Sequence, residues 1–282
     1  MMNDGGEKRF ALLLAARDSE YAKKVYGGYF NVFVAAFGGG GGGERWDLYR
    51  VVDGEFPDMD DDELIHLYDG FVISGSPFDA YGDDDWILRL CRLIQVLDAM
   101  QKKVLGICFG HQVICRALGG KVGKSSTGWD LGLRQVKTAN DASARLVQLG
   151  LPEIPSSLSI IECHQDEVLK VPAGAHIVAS SDKTGVEMFV VGNHMMGIQG
   201  HPEYTKDILF NLVDRLLGDG SIRKEMAEEA KLKMERGEPD REQWLKMCKK
   251  FLTAQRGVQR PAQYPDRRMK LATQQSFLVV GV

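Results

Sequence analysis

The first strong hydrophobic signal is FALLLAA (10–16), a continuous apolar run that stops at Arg17, Asp18 and Ser19. A run of that length followed by capping residues predicts a buried strand, central in its sheet, leading into a helix capped by Asp18 or Ser19. Next, AKKVYGGYFNVFVAAF has apolar positions at helical spacing but is interrupted by Gly27 and Gly28. Periodicity alone leaves a strand open there, and a helix is the favoured reading. Apolar strands follow at WDLYRVVDG and DGFVISGSP, then an amphipathic helix at WILRLCRLIQVLDAMQ, strand KVLGIC, and helix FGHQVICRALGG, which stops at Gly119 and Gly120. Alternating strands and helices predict an α/β fold built on a mainly parallel sheet covered on both faces.

Between 127 and 196 the pattern changes to short strands separated by Pro and Gly turns: GLRQVKT, LSIIECHQ, HIVASSD, VEMFVV and MMGIQ. These predict antiparallel strands joined to the parallel half. Helix TKDILFNLVDRLLG closes the unit near Gly218, and two charged helices are expected over 221–236 and 241–253, split by Gly237 and Pro239. The chain therefore divides into an α/β unit over 9–217, a helical extension over 218–255 and a polar, basic tail over 256–282 that is expected to be flexible. The glycine run at 38–43 is low in complexity and reads as a disordered loop insertion. No internal repeat is present.

Composition narrows the partners. With 282 residues, 44% hydrophobic and 26% charged, the chain can bury a sizeable core, and a net charge of -4 offers no electrostatic footprint for nucleic acid. No stretch approaches the roughly 18 apolar residues of a membrane span. Small molecules or proteins are the expected partners. The start, MMNDGGEKRF, carries neither a secretory nor a transit pattern, which points to the cytosol. Cys91, Cys108, Cys115, Cys163 and Cys248 are odd in number with no C-x-x-C pair, so reduced thiols are expected rather than a disulfide framework or zinc ribbon. The acidic runs at 60–63 and 83–85 read as solvated faces or helix starts rather than metal ligands.

Candidate chemistry centres on the junction of KVLGIC with its helix. Gly106, Cys108 and Gly110 form G-x-C-x-G, a nucleophile elbow with cysteine in place of serine. An isolated cysteine would read as a small buried hydrophobe; a helix N-terminus behind a sharp turn instead predicts a thiol with lowered pKa and a reactive thiolate. Such a nucleophile needs a base held by an acceptor, and GIQGHPE supplies His201 and Glu203 at the end of an apolar strand. An exposed histidine beside a helix-capping glutamate is the plain alternative. An oxyanion would find N–H groups at Phe109, after the nucleophile, and in the strand-end loop ISGSP around Gly75 and Ser76. ECHQDEV ends another strand on the same side, which makes His164 and Asp166 candidate pocket residues. His66 and His176 have no comparable acidic partner.

VISGSP, GICFGHQ, CHQDEV and GIQGHPE, in that order and at these separations, resemble the class I glutamine amidotransferase family over about 9–217. The resemblance implies a three-layer α/β/α sandwich with a mixed, mainly parallel sheet. It also implies a triad of Cys108, His201 and Glu203, an oxyanion hole at Gly75 and Phe109, and a glutamyl pocket lined by Gln112 and the His164 segment. Within that family RDSEYAKKVYGGYFNVF, VLGICFGHQVICRALGGKVG, SDKTGVEMF and GIQGHPEYTKDIL are similar to the plant γ-glutamyl peptidases. Those are stand-alone cytosolic enzymes acting on glutathione conjugates, including intermediates of sulfur-containing defence metabolites. The glycine run and the basic tail depart from the family pattern. The implied reaction is hydrolysis of a γ-glutamyl amide through a thioester, without metal or cofactor. The same triad serves a glutaminase that supplies ammonia to a separate synthase, and a silent binding protein on this fold is the third reading.

Overall fold

The computed structural model describes residues 7–39, 43–59, 61–151 and 154–254. In chain order its first half contains β1 (Lys8–Leu13), α1 (Glu20–Tyr26), α2 (Tyr29–Phe37), β2 (Glu44–Tyr49), α3 (Asp62–His66), β3 (Gly70–Ile73), α4 (Asp85–Ala99), β4 (Lys103–Ile107) and α5 (Phe109–Ala117). The second half adds β5 (Lys121–Lys124), β6 (Asp130–Thr138), α6 (Ala142–Gln148), β7 (Ser157–His164), β8 (Asp166–Lys170), β9 (Ala175–Ser180), β10 (Met188–Val191) and β11 (Met195–Ile198). Helices α7 (Lys206–Gly218), α8 (Lys224–Arg236) and α9 (Arg241–Thr253) complete the described chain.

A nine-stranded sheet has the order β2-β1-β3-β4-β11-β10-β9-β6-β7. β2, β1, β3, β4 and β11 run parallel, and β10, β9, β6 and β7 continue it in antiparallel fashion. Successive side chains of a strand point to opposite faces, which sorts β1 and its continuation into Phe10, Leu12 and Leu14 on one side and Ala11, Leu13 and Ala15 on the other. The first set packs with residues of α2, α6 and α9, the second with α3, α4 and α5. Coverage of both faces is why this strand reads as an unbroken apolar run. It lies one place in from the β2 edge, however, and not at the centre as its composition suggested; β11 holds the central position.

Ser19 caps α1, its hydroxyl accepting from the Ala22 N–H at 3.1 Å. The helix expected over AKKVYGGYFNVFVAAF is broken in two, because Gly27 and Gly28 adopt φ of 74° and 111°, outside the helical range. Residues 40–42 of the glycine run and the tail from 255 onward lie outside the described residues. β5 and β8 form a separate two-stranded antiparallel sheet, and α6 is a further short helix; neither feature was anticipated. The last helices are integral to the core: Trp244, Met247 and Phe251 of α9 are buried with the β3 and β4 side of the sheet, and Ala230 of α8 rests on Gly132 of β6. Among the described residues no helix is long and apolar enough to cross a membrane.

Candidate active site

β4 and β11 are parallel neighbours in the register Ile107↔Ile198, so the segments that follow them emerge together at the carboxyl end of the sheet. In open α/β sheets that edge is where ligands bind. Cys108 leaves β4 with its N–H bonded to the Ile198 carbonyl at 2.9 Å, and His201 leaves β11 with its N–H bonded to the Ile161 carbonyl of β7 at 2.8 Å. The two side chains are therefore positioned by ladder-like hydrogen bonds within the sheet.

Cys108 has φ 51° and ψ -104°, a conformation an L residue adopts only when its surroundings enforce it, at a cost of about 1–3 kcal/mol. The flanking glycines explain the enforcement. A Cβ at Gly106 would sit 2.4 Å from the Gly110 carbonyl carbon and oxygen, and one at Gly110 would sit 2.4 Å from the Ile73 carbonyl oxygen. Bare backbone at both places lets strand, elbow and helix close on one another. Trp86 stacks on Phe109 with ring centroids 5.5 Å apart, which fixes the far side of the turn.

The Cys108 thiol, expected to be lowered by the helix N-terminus, is instead pushed up. Burial pushes it up most, the neighbouring Cys163, Glu162 and Glu203 add to this, and the hydrogen bond from the Phe109 N–H offsets only part of it. The helix N-terminus was the visible element in the sequence; the burial was not. A raised thiol would need a neighbour to take its proton, and the candidate His201 lies across Gly75 from it. Its Nδ1–H donates to Glu203 Oε1 at 2.8 Å, which leaves the Nε2 lone pair free. Both residues are buried, and the Tyr204 ring lies parallel to the imidazole at 3.9 Å between centroids. Tyr204 was overlooked in the sequence, although it directly follows Glu203.

Gly75 lies between nucleophile and base. A Cβ built there would be 2.9 Å from His201 Cε1, 3.6 Å from Cys108 Cβ and 3.8 Å from His201 Nε2. Gly75→Ala is therefore expected to wedge the pair apart and lower kcat by roughly 10²-fold while leaving thermal stability little changed, as measured by steady-state kinetics and a melting curve. Near-normal kcat in this variant would mean that the loop moves aside freely.

A cavity of about 550 Å³ opens at this point, and Gly75, Ser76, Cys108, Gln112, His164, Asp166, His201 and Glu203 all border it. Phe109 stays behind the elbow, presenting its N–H to the sulfur. The Ser76 hydroxyl accepts from the Phe78 N–H at 3.2 Å and so shapes its own loop. Gln112 Nε2 donates to the Asp166 carbonyl at 2.9 Å and to Gln199 Oε1 at 3.1 Å, and His164 Nδ1 meets the same Asp166 carbonyl at 2.9 Å. These two side chains brace the wall more than they offer free donors. The Asp166 carboxyl is pushed up to about 6 by burial and by the negative charge of Asp79. Arg17, Trp129, Cys163 and Arg215 also border the cavity and were not anticipated, since they come from separate loops, a strand and a helix with no local motif among them. Behind the His164 wall, Glu162, His164 and Glu187 bring three potential ligand atoms within 4.8 Å of one another.

Comparisons with known proteins bear on this geometry. The family model for class I glutamine amidotransferases matches residues 51–209. The chain is 56% identical over 252 residues to gamma-glutamyl peptidase 5 of Arabidopsis thaliana, covering 89% of this chain and 97% of that one. It is also 56% identical over 246 residues to gamma-glutamyl peptidase 3 of the same plant, covering 87% and 97%. A solved glutamine amidotransferase of Methylobacillus flagellatus shares the fold at a TM-score of 0.64 and 18% identity, covering 92% of this chain and 100% of that one. Fold, the match over 51–209 and the level of identity lead to one assignment: this chain belongs to the class I glutamine amidotransferase family.

Proposed function

We propose that the protein is a cysteine-dependent γ-glutamyl peptidase that hydrolyses the γ-glutamyl amide of glutathione conjugates through a thioester. The carrying observation is 56% identity over 89% of the chain to a relative named for that peptidase activity. The cavity's architecture supports it. Cys108 passes its proton to His201 Nε2 as the sulfur attacks the γ-carbonyl carbon, and Glu203 stabilises the resulting imidazolium. The Phe109 N–H and the Gly75 backbone meet the oxyanion. His201 then returns its proton to the departing amine, and the thioester remains. Water, deprotonated by His201, attacks that thioester and releases glutamate and the thiol. Asp166 and Asp79 supply negative charge for the substrate's α-ammonium group.

The triad treats glutamine and a γ-glutamyl peptide alike, so the leaving group must be distinguished farther out. Arg215 of α7 borders the cavity and places a cation within reach of a carboxylate on a departing peptide. Ammonia released from glutamine has no such group. Arg215→Met is accordingly expected to raise KM for a glutathione S-conjugate roughly tenfold, about the worth of one charge-assisted bond, and to leave KM for glutamine unchanged.

The direct test is glutamate release by the wild-type chain from a glutathione S-conjugate and, separately, from glutamine. Faster release from the conjugate supports the peptidase. Release from glutamine alone would replace it with the second reading, a glutaminase serving a separate synthase. The buried apolar faces of α8 and α9 argue for the stand-alone enzyme, since the helices that might have formed a docking arm are already packed into this chain.

A further inference from the structure

Glu162 and His164 lie two residues apart on one face of β7, and Glu187 lies just ahead of β10. All three are almost completely buried, at 0%, 5% and 2% exposure. Buried carboxylates normally arrive with donors, yet among the described residues neither oxygen of Glu162 nor the Nε2 of His164 receives a bond from any N–H or O–H. The imidazole tautomer sharpens the anomaly. His164 Nδ1 faces the Asp166 carbonyl at 2.9 Å and so carries a hydrogen, which turns the Nε2 edge of the ring toward Glu162 Oε2, 3.3 Å away. Three groups able to ligate a metal thus lie within 4.8 Å of one another.

The fold also makes room for the arrangement. A Cβ at Gly200 would fall 2.4 Å from Glu162 Oε1, so the residue before His201 has to be glycine for that carboxylate to keep its place. Glu187 is held from both sides, its N–H on the Ala179 carbonyl at 2.9 Å and its carbonyl accepting from the Gln199 N–H at 2.8 Å. Arg134, the nearby guanidinium, is already bonded to Asp130 at 2.6 Å and to Asp182 at 3.2 Å.

From these observations we infer that Glu162, His164 and Glu187 form a binding site for a divalent transition-metal ion, with Zn²⁺ the best match. A dication balances two carboxylates, accepts the Nε2 lone pair and gives the orphaned oxygens a partner in one step. An Nδ1–H held by a backbone carbonyl is the usual orientation of a metal-ligating histidine. Tetrahedral zinc with bonds of about 2.1 Å separates neighbouring ligand atoms by about 3.4 Å, close to the 3.3 Å between His164 Nε2 and Glu162 Oε2. His164 borders the substrate cavity, which provides the route of entry. The bound ion clamps β7 to the approach of β10, directly behind the loop that carries His201. The competing arrangement is metal-free: a proton shared between the facing Glu162 and Glu187 carboxyls, with a second proton on His164 Nε2 bonding Glu162 Oε2.

Tag-free protein treated with a chelator and then titrated with ZnCl2 tests the site, by zinc content after gel filtration and by melting temperature. The wild type is expected to retain one zinc per chain and to melt about 5 °C or more higher at a hundredfold excess over Kd. Cys108→Ala, which removes the thiol of the other conceivable zinc site, should retain both effects. Glu187→Gln and Glu162→Gln should lose both while keeping the wild-type circular dichroism spectrum. Failure of the wild type to retain zinc would overturn the inference in favour of the metal-free, proton-held arrangement. Zinc lost from Cys108→Ala but kept by Glu187→Gln would also overturn it, placing the ion on the catalytic thiol.

Discussion

Cys108→Ala is expected to lower hydrolysis of a γ-glutamyl amide by about 10⁴-fold or more, because the proposed thioester forms on the Cys108 sulfur and no other group at the elbow can replace it. Folding should survive, since the elbow is set by the backbone contacts of Gly106 and Gly110 and not by the sulfur. A second replacement separates the two roles. At φ 51° alanine retains the strain of the native residue while glycine relieves it, so Cys108→Gly should be equally inactive yet more stable than Cys108→Ala by roughly 1 kcal/mol. The pH dependence follows from the raised thiol. Between the ordinary thiol value and the higher folded value the native state holds a proton that the unfolded chain has released. Stability contributed by this group is therefore present below about pH 8.5 and declines as pH rises above it. Alkylation of Cys108 by a neutral electrophile in the free enzyme should likewise be slow at pH 7 and quicken with pH. Rapid labelling at pH 6 would show that His201 already holds the proton at rest. Loss of folding in Cys108→Ala would make the cysteine structural.

Much of this site was legible because its chemistry travels in short segments tied to strand ends. G-x-C-x-G marks the elbow by itself, since only glycine fits where Cβ atoms would meet backbone at 2.4 Å. GHPE carries base and acceptor two residues apart, and the structure joins them at 2.8 Å. What the sequence hid is whatever depends on distant packing. The Cys108 pKa is raised by burial and by Cys163, Glu162 and Glu203, none of them next to it in the chain. Arg215 reaches the cavity from a helix whose local pattern records only an amphipathic face. The Glu162, His164 and Glu187 group needs β7 and the approach to β10 to be placed together in space. The fold shows the same division. Long apolar runs identify strands, but β1 and β4 read alike although one lies next to an edge strand and the other next to the central one. Both are covered on two faces, and local composition reports coverage, not rank in the sheet.

A large structural effect is expected from Gly110→Ala. Its Cβ would lie 2.4 Å from the Ile73 carbonyl oxygen, 3.0 Å from the carbonyl carbon and 3.1 Å from the Ile73 Cβ, and all three contacts belong to β3. Relief requires backbone to move. β3 is hydrogen-bonded to β1 on one side and to β4 on the other, so the strand cannot retreat without breaking ladders in the parallel half of the sheet. Nor can α5 rise away, because Phe109, Val113 and Ile114 are buried in the layer beneath it. With no cheap movement available, the cost should exceed about 4 kcal/mol, the range of severe core disruption, and lower the melting temperature by roughly 8 °C or more. Gly119→Ala is the control. Gly119 has φ 90°, but its Cβ position meets nothing within 4 Å, so only the backbone preference is lost, about 1 kcal/mol. Denaturant titration of both variants gives the comparison. A Gly110→Ala protein as stable as Gly119→Ala would mean that the elbow has slack. The strain held at Cys108 would then have to be sustained by something other than the close approach of helix to strand.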